Sequence, residues 1–445
     1  MKKVLSFLLV IFMLFGVVGC GEKEIKPIEQ SNTNNEIQKE ENEIISTEEI
    51  EKTEEVEEVE EVEKEEIKDI EEDTTEKEFV EMKHSTTNVS KLIDSLYESE
   101  PKNVIVSDTS LNMALGMAMQ GASGDGLVAL ENYFGSTKND YGNYTSSLLE
   151  CYSNDKDITL DLFNGVYVND GIETYETFDN DVKKYFKADK EVLDFNNSNS
   201  AKVINNKCDE ITRGMITEIV QEDELKDLEA VLLNALYFNG DWENPFEEYN
   251  VFNEDFNSVT GVKEVETMHG GEAGVYYEND YATAFAKPYK GYNISFIGIL
   301  PKESIVDENY DFNVSDIDID SLLETRTEEY DVYYTLPKFK IEDKNELTDV
   351  LKENGLGVLF SDEIPCLENL SKTPLRFDKV VQKTVVDVNE TGTEASAVTA
   401  LEVCKMSALP QELEIREVYL NRPFVFMIYD NDNKEVLFMG KIIDL

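Results

Sequence analysis

Two histidines and five cysteines are the residues of this chain that most often carry out covalent or metal chemistry. His84 and His269 lie far apart in the sequence, and neither stands in a known catalytic motif. No C-x-x-C pair occurs, which argues against a redox motif or a zinc ribbon. We therefore expect no enzyme, no metal site and no cofactor. The spacing leaves the disulfide state open for the last four of the five cysteines, Cys20, Cys151, Cys208, Cys366 and Cys404.

A run of carboxylates offers one alternative, a calcium loop. Asp307, Asn309 and Asp311 have ligand-like spacing, and Asp318 is acidic at the twelfth position. However, Phe312 occupies the position where such a loop needs glycine, and aspartate is one methylene shorter than the usual bidentate glutamate. The sequence therefore favours a solvated acidic surface here.

Residues 393–404 have the side-chain alternation of a β-strand, and residues 390–409 contain no proline. Pro410 is the first proline, and Gly392 is expected to permit a sharp change of backbone direction. Alternate side chains point to opposite faces of a strand. The set expected on a buried face carries no charge, and its members are Thr393, Ala395, Ala397, Thr399, Leu401 and Val403. A flexible linker is the alternative, but a linker needs no alternation.

The elements around this segment are mixed. Helical spacing covers residues 89–97, a short buried strand covers 103–107, and a helix covers 110–120 with Ser107 or Thr109 as its N-cap. Further apolar or alternating runs are typical of strands, namely residues 231–238, 293–300, 331–336, 380–388 and 424–429. Helices and strands without regular alternation predict an α+β fold.

The first twenty residues predict a targeting segment. Lys2 and Lys3 precede an apolar run that ends in VVGC at Cys20, which resembles a bacterial lipobox. The resemblance implies lipidation of Cys20, and so a secreted, extracellular protein anchored to the outer face of the bacterial cell membrane. An ordinary signal peptide or a short anchor helix with an incidental cysteine is the alternative.

An acidic tether and a folded body are expected to follow. Residues 21–78 are rich in glutamate and lack aromatic residues, so they favour disorder over a helical stalk. The body is expected at residues 79–445. The formal net charge of −55 excludes a nucleic-acid partner and favours a basic protein partner.

Several motifs in order resemble the serpin family. Residues 103–122 read NVIVSDTSLNMALGMAMQGA, and residues 234–246 read NALYFNGDWENPF. Residues 336–341 read LPKFKI, and residues 386–400 read VDVNETGTEASAVTA. NRPFVFMI at residues 421–428 and FMGKI at residues 438–442 complete the set. The resemblance covers residues 79–445 and implies a monomer with three β-sheets, eight or nine helices and an exposed reactive loop at about residues 390–415.

The family's activity would make this chain a suicide substrate of a serine protease, or alternatively of a cysteine protease. Cleavage of the loop forms an acyl-enzyme, and the loop then inserts into the central sheet and traps the protease. The family's hinge corresponds to Glu390, Thr391, Gly392, Thr393, Glu394, Ala395, Ser396, Ala397, Val398 and Thr399. A non-inhibitory serpin-fold surface binding protein is the alternative function.

The position of the scissile bond follows from the family's hinge-to-bait distance. It predicts the bond Met406–Ser407, and an unbranched apolar Met406 suits elastase-, chymotrypsin- or subtilisin-like pockets. A register shift of one residue would make Lys405 the bait and the target trypsin-like.

The family's sheet-opening region corresponds to Ser107, Ser110, Gln382 and Trp242. Gln382 replaces the usual histidine, and its amide can both donate and accept a hydrogen bond. Asp108 replaces a common proline. We expect Trp242 to be structural and to pack near the top of the large sheet.

Overall fold

The computed structural model of the chain describes residues 85–155, 157–226, 228–361, 363–364, 366–377, 380–393 and 413–445. The targeting segment, the tether 21–78 and its predicted boundary at residue 79 lie outside these residues. Nine α-helices occur in the described part, two of them a single turn long: α1 Thr87–Ser99, α2 Asp108–Gly121, α3 Gly124–Phe134, α4 Lys138–Asn154, α5 Glu176–Phe186, α6 Ser198–Ile211, α7 Glu222–Leu225, α8 Ile319–Glu324 and α9 Thr348–Leu351.

Fifteen strands accompany these helices in the described residues. They are β1 Val104–Val106, β2 Ile158–Asn169, β3 Asp189–Leu193, β4 Ala230–Asp241, β5 Val251–Ser258, β6 Gly261–Glu278, β7 Ala282–Pro288, β8 Ile294–Pro301, β9 Thr327–Pro337, β10 Phe339–Glu346, β11 Val381–Val388, β12 Gly392–Thr393, β13 Glu414–Tyr419, β14 Phe424–Asp430 and β15 Glu435–Ile442. The α+β class is confirmed, and so are the predicted helices at residues 89–97 and 110–120 and the predicted strands at 103–107, 231–238, 293–300, 331–336, 380–388 and 424–429. Of the strand pattern in the reactive-loop segment, the described residues include only β12.

The strands form two hydrogen-bonded sheets. The first has the order β10-β11-β12-β4-β2-β3, and the second has the order β1-β15-β14-β8-β7-β6-β9-β13 with β5 on β6. The long β6 pairs with β5 near its start and with β7 near its end. It therefore joins two of the three sheets implied by the family into one network.

Helix α2 packs against both sheets and supplies much of the core. Ser107 is its N-cap, because its side chain accepts a hydrogen bond from the Ser110 amide at 3.3 Å. Gly116 allows the close approach of α4 and α5, since a Cβ there would lie 2.5 Å from the Tyr141 ring and 2.8 Å from the Phe186 ring. Every residue of β14 and β15 is buried.

The sequence predicted a solvated surface for the acidic run at residues 307–318, but the structure shows that two of its carboxylates hold the fold together. Asp311 accepts a hydrogen bond from the fully buried Lys441 at 2.8 Å and another from Tyr97 at 2.9 Å. Burial lowers the pKa of Lys441, and the Asp311 carboxylate opposes that effect. Asp307 binds the backbone amides of Asn309 and Asp311 and so folds the turn. These carboxylates are structural.

None of the described helices has the length and apolar character needed to cross a membrane.

Candidate functional site

The central feature of the six-stranded sheet is a two-residue strand between two long ones. Gly392 and Thr393 pair antiparallel with Asp241 and Gly240 of β4, and Thr393 pairs with Val388 of β11. Both long strands therefore run in the same direction, with β12 at one end of the space between them. In the described residues, no ladder joins β4 directly to β11.

Only glycine fits at position 392 without a shift of the neighbouring backbone. A Cβ on Gly392 would lie 2.1 Å from the Gly240 carbonyl oxygen and 2.9 Å from the Asp241 Cα. Its φ is outside the left-handed region that favours glycine. The expected sharp change of backbone direction was thus the wrong reason. Gly392 is needed because β12 approaches the backbone of β4 closely.

Thr393 is buried, as the alternation pattern predicts for the first member of the buried set. Its hydroxyl lies 2.5 Å from the Tyr289 hydroxyl. Tyr289 stacks on Trp242 with a ring separation of 4.5 Å, and both side chains are fully buried. The Thr393 side chain therefore completes a buried cluster with Tyr289 and Trp242 near the end of β4.

The turn before β12 is held by backbone and side-chain hydrogen bonds. The Trp242 indole donates to the Asn389 carbonyl at 2.9 Å, and the Trp242 amide donates to the Thr391 carbonyl at 2.9 Å. The Asn389 side chain accepts from the Thr391 hydroxyl at 2.7 Å. Lys338 donates to the Glu390 carboxylate at 3.0 Å. Trp242 is buried near the end of β4, as expected, and its indole fixes the hinge turn.

The predicted sheet-opening residues meet at the other end of β11. Gln382 accepts from the Ser107 amide at 3.0 Å and donates to the Ser107 carbonyl at 2.8 Å. The Ser107 hydroxyl donates to the Leu437 carbonyl at 2.8 Å. Glutamine here satisfies both backbone groups of one residue, so β11, α2 and β15 are joined through three hydrogen bonds. Trp242 is far from this group along β4.

At the start of α2, the half-buried Asp108 lies near the buried Glu435. Burial and the charge of Glu435 raise the pKa of Asp108 to about 7, against a donated hydrogen bond from Asn112 at 2.9 Å. Glu435 accepts from Thr109 at 3.3 Å and from Tyr144 at 2.5 Å. The substitution of the family's proline thus makes the charge of this region depend on pH near neutrality.

An apolar cavity of about 290 Å3 lies between the starts of β4 and β11, at the opposite end from β12. Leu232 and Leu233 of β4, Val381 of β11, and Leu111 and Leu115 of α2 contribute to its wall. Space therefore exists between the two long strands in the direction that a lengthening β12 would take.

The remaining predicted site residues lie outside the described part of the chain. These are the bait residues Lys405, Met406 and Ser407, the hinge residues Glu394, Ala395, Ser396, Ala397, Val398 and Thr399, the lipidation residue Cys20, and also His84 and Cys404. Among the described cysteines, Cys151, Cys208 and Cys366 are free thiols. The described residues contain no cluster of three or more histidine, cysteine or acidic side chains suited to a metal ion.

The comparison with protein families decides the identity of the fold. The model of the serpin family, described as serine protease inhibitor, matches residues 66–445. This chain belongs to the serpin family. Serpins as a class are protease inhibitors and generally not enzymes; for this chain the match establishes the family and the fold.

Related serpins come from distant organisms. The chain is 32% identical to an uncharacterized serpin-like protein of Thermococcus kodakarensis, over 77% of this chain and 80% of that protein. It is 31% identical to leukocyte elastase inhibitor A of Mus musculus, over 79% of this chain and 96% of that protein. The crystal structure of the thermophilic serpin tengpin in its native state covers 82% of this chain and 96% of tengpin, with a TM-score of 0.71 and 27% identity.

Three residues of the hinge site were not predicted from the sequence, namely Tyr289, Lys338 and Asn389. Tyr289 lies in no recognised motif. The residues that it contacts, Trp242 and Thr393, are 47 and 104 positions away in the sequence. Lys338 and Asn389 stand inside quoted motifs, LPKFKI and VDVNETG, but a motif gives no partner. Only the position of Asn389 beside Glu390 gave a signal, because an asparagine can bind the backbone amide two residues later.

Proposed function

We propose that this serpin is an inhibitor that acts as a suicide substrate and traps its protease by loop insertion. The observation that carries the proposal is β12, a strand already seated between β4 and β11 at the end where insertion would begin. Cleavage frees the following residues to continue this strand toward the apolar cavity. A non-inhibitory serpin needs no such start.

The sequence after β12 suits this path. Residues 394–409 contain no proline, and their alternation continues the inward position of Thr393. Each added residue could form ladder hydrogen bonds with β4 or β11, at a net gain of about 1 kcal/mol per bond. Fifteen residues from Gly392 to Met406 would move a protease attached at Met406 by about 50 Å.

The proposed target is an elastase-, chymotrypsin- or subtilisin-like protease. The support is the predicted bait Met406, whose unbranched apolar side chain fits such primary pockets. The 31% identity to leukocyte elastase inhibitor A is in keeping with this class. Lys405 as the bait would instead direct the inhibitor to trypsin-like enzymes.

We further propose that the protein acts at the outer surface of a bacterial cell. Lipid on Cys20 would anchor it, and the acidic residues 21–78 would hold the inhibitor away from the membrane. Mass spectrometry of the mature N-terminus tests this part. An N-terminal diacylglyceryl-modified Cys20 supports it, and an unmodified N-terminus in the medium contradicts it.

The inhibitory mechanism is tested by mixing the purified protein with elastase, chymotrypsin, subtilisin and trypsin near equimolar ratios. A covalent complex that survives denaturing electrophoresis, with a released peptide that begins at Ser407, is the expected result. A peptide that begins at Met406 would move the bait to Lys405. Cleavage without a complex, and without a rise in the melting temperature of the cut protein, would contradict loop insertion.

A further inference from the structure

A second exposed feature lies on β13, the first strand after the reactive loop, and on the neighbouring strands of the same sheet. We name it the aromatic face. It consists of Phe252 on β5, His269 on β6, Tyr333 on β9, and Ile415 and Tyr419 on β13. The register places them on one side of the sheet, because Thr335 lies opposite both His269 and Tyr419. Gly271 lies opposite Tyr333, whose ring covers it.

Four of these five side chains are exposed although they are large and mainly apolar, and His269 is half-buried. The exposed fractions are 48% for Phe252, 45% for Tyr333, 55% for Ile415 and 38% for Tyr419. The opposite side of β13 is covered, since Val418 is buried and Arg416 lies 4.1 Å above the Tyr330 ring. Burial of a contiguous apolar surface of this kind is expected in a partner complex.

Carboxylates border the aromatic face. A Glu254 carboxylate oxygen lies 3.4 Å from the His269 Nε2, and Glu417 lies opposite Tyr333. The Nε2 of His269 is buried without a hydrogen-bond partner among the described residues. Phe252 stacks on the His269 ring at 4.1 Å. Burial raises the pKa of Tyr419, and after it so do a hydrogen bond with Glu417 and the charges of Glu417 and Glu254, so both carboxylates act on one tyrosine.

Aromatic rings beside carboxylates suit a cationic partner. A guanidinium or ammonium group is attracted to a ring face at short range and to carboxylates at longer range. The net charge of −55 on the whole chain favours the approach of a basic protein as well. The aromatic face therefore fits arginine and lysine side chains on a protein surface.

The position of the face selects the partner. Glu414 of β13 is seven positions after Ser407, so the predicted scissile bond lies at most about 24 Å from the start of this strand. A protease of roughly 250 residues has a radius of gyration of about 18 Å. An enzyme bound at Met406–Ser407 therefore comes within contact distance of the aromatic face.

We propose that the aromatic face is a second contact surface for the attacking protease and binds cationic side chains beside its active-site cleft. This inference rests on the proposed inhibitory function. It adds that the choice of protease depends on basic residues outside the primary pocket, as well as on the bait residue.

Binding is measured with proteases whose catalytic serine is replaced by alanine, so that acylation and trapping play no part. The full-length protein is compared with the double variant Tyr333→Ala/Tyr419→Ala. The matched control is Tyr175→Ala/Tyr281→Ala, which removes two tyrosines of similar exposure, 38% and 40%, on other elements. We expect the Kd for the most basic protease of the panel to rise about tenfold in the first variant and less than about twofold in the control.

A second variant examines the carboxylates. Glu254→Gln/Glu417→Gln should lower the association rate several-fold at low salt. The difference in rate between this variant and the parent should shrink at high salt, because salt screens the attraction between the carboxylates and the cationic partner. Equal affinity of the two tyrosine variants would overturn the proposal, and so would a failure of the parent to bind any inactive protease. Binding that depends on the aromatic face, without a covalent complex with the active enzyme, would contradict the proposed trapping function alone.

Discussion

Replacement of Gly392 by alanine is the sharpest perturbation of the hinge that the structure offers. The added Cβ would stand 2.1 Å from the Gly240 carbonyl oxygen, where van der Waals contact needs about 3.5 Å. Both clashing groups belong to backbone in paired strands, so no side-chain rotation relieves the contact. Either β12 leaves the sheet or β4 and β12 separate.

The size of the effect follows from overpacking. Forced backbone shifts in a packed site cost about 1–3 kcal/mol. Because the added Cβ clashes with the backbone of β4, we expect Gly392→Ala to cost near the upper end of this range. If the same contact forms in the transition state for insertion, about 2–3 kcal/mol slows insertion by roughly 30- to 150-fold. Hydrolysis of the acyl-enzyme is unaffected, so more inhibitor is cleaved for each protease trapped.

The assay is the stoichiometry of inhibition, together with the yield of covalent complex on denaturing gels. Gly357→Ala is the matched control, because a Cβ there meets nothing closer than 3.5 Å. The control should behave as the parent, while Gly392→Ala should give cleaved inhibitor and active protease. Equal stoichiometries for the two variants would refute the view that β12 is the start of the inserted strand.

Three further changes test the surroundings of the hinge. The folded-state pKa of Asp108 is about 7 against an ordinary 3.8, so the native state holds a proton that the unfolded state loses between these values. The free energy of unfolding should therefore fall as pH rises through this window. Asp108→Asn should raise the melting temperature at pH 8 but not at pH 4. A difference in melting temperature between variant and parent that does not depend on pH would contradict this. Gln382→Leu leaves the buried Ser107 amide without its partner, whereas the Ser107 carbonyl still accepts from the Leu111 amide. The variant should cost about 1–3 kcal/mol in denaturant unfolding, and an unchanged midpoint would count against the role of the glutamine. Asp311→Asn removes the charge beside the buried Lys441 and should cost about 3 kcal/mol, with no loss expected in the double variant that also replaces the lysine by methionine.

Periodicity was sufficient for the elements that carry enough residues to show it. Helix α2 and its two candidate N-caps, Ser107 and Thr109, followed from one short segment because capping is a local interaction, and the structure selects Ser107. Strands β4, β8 and β14 followed from apolar runs. The strand β12 could not be predicted as it is, because two residues have no period and its pairing depends on strands that are far away in the sequence.

Long-range polar contacts explain most of what the sequence left out. The Trp242 indole binds a carbonyl 147 positions away, and the Lys441 ammonium binds a carboxylate 130 positions away. Nothing in FMGKI distinguishes a buried lysine from an exposed one, because β15 is buried on both faces and shows no alternation. The resemblance to serpins brought Gln382 and Ser107 together where periodicity could not.

The seated hinge changes which step limits insertion under the proposed mechanism. Adding a strand to a sheet normally requires a first contact that closes a loop, at an entropic cost that later residues do not repeat. Here Gly392 and Thr393 already make that contact in the intact chain. After cleavage the strand only needs to lengthen, so the rate depends on how readily β4 and β11 separate. The hydrogen bonds between Gln382 and Ser107 tie β11 at the far end of that path, and we therefore expect this pair to set the outcome of the race with deacylation, independently of which protease is bound.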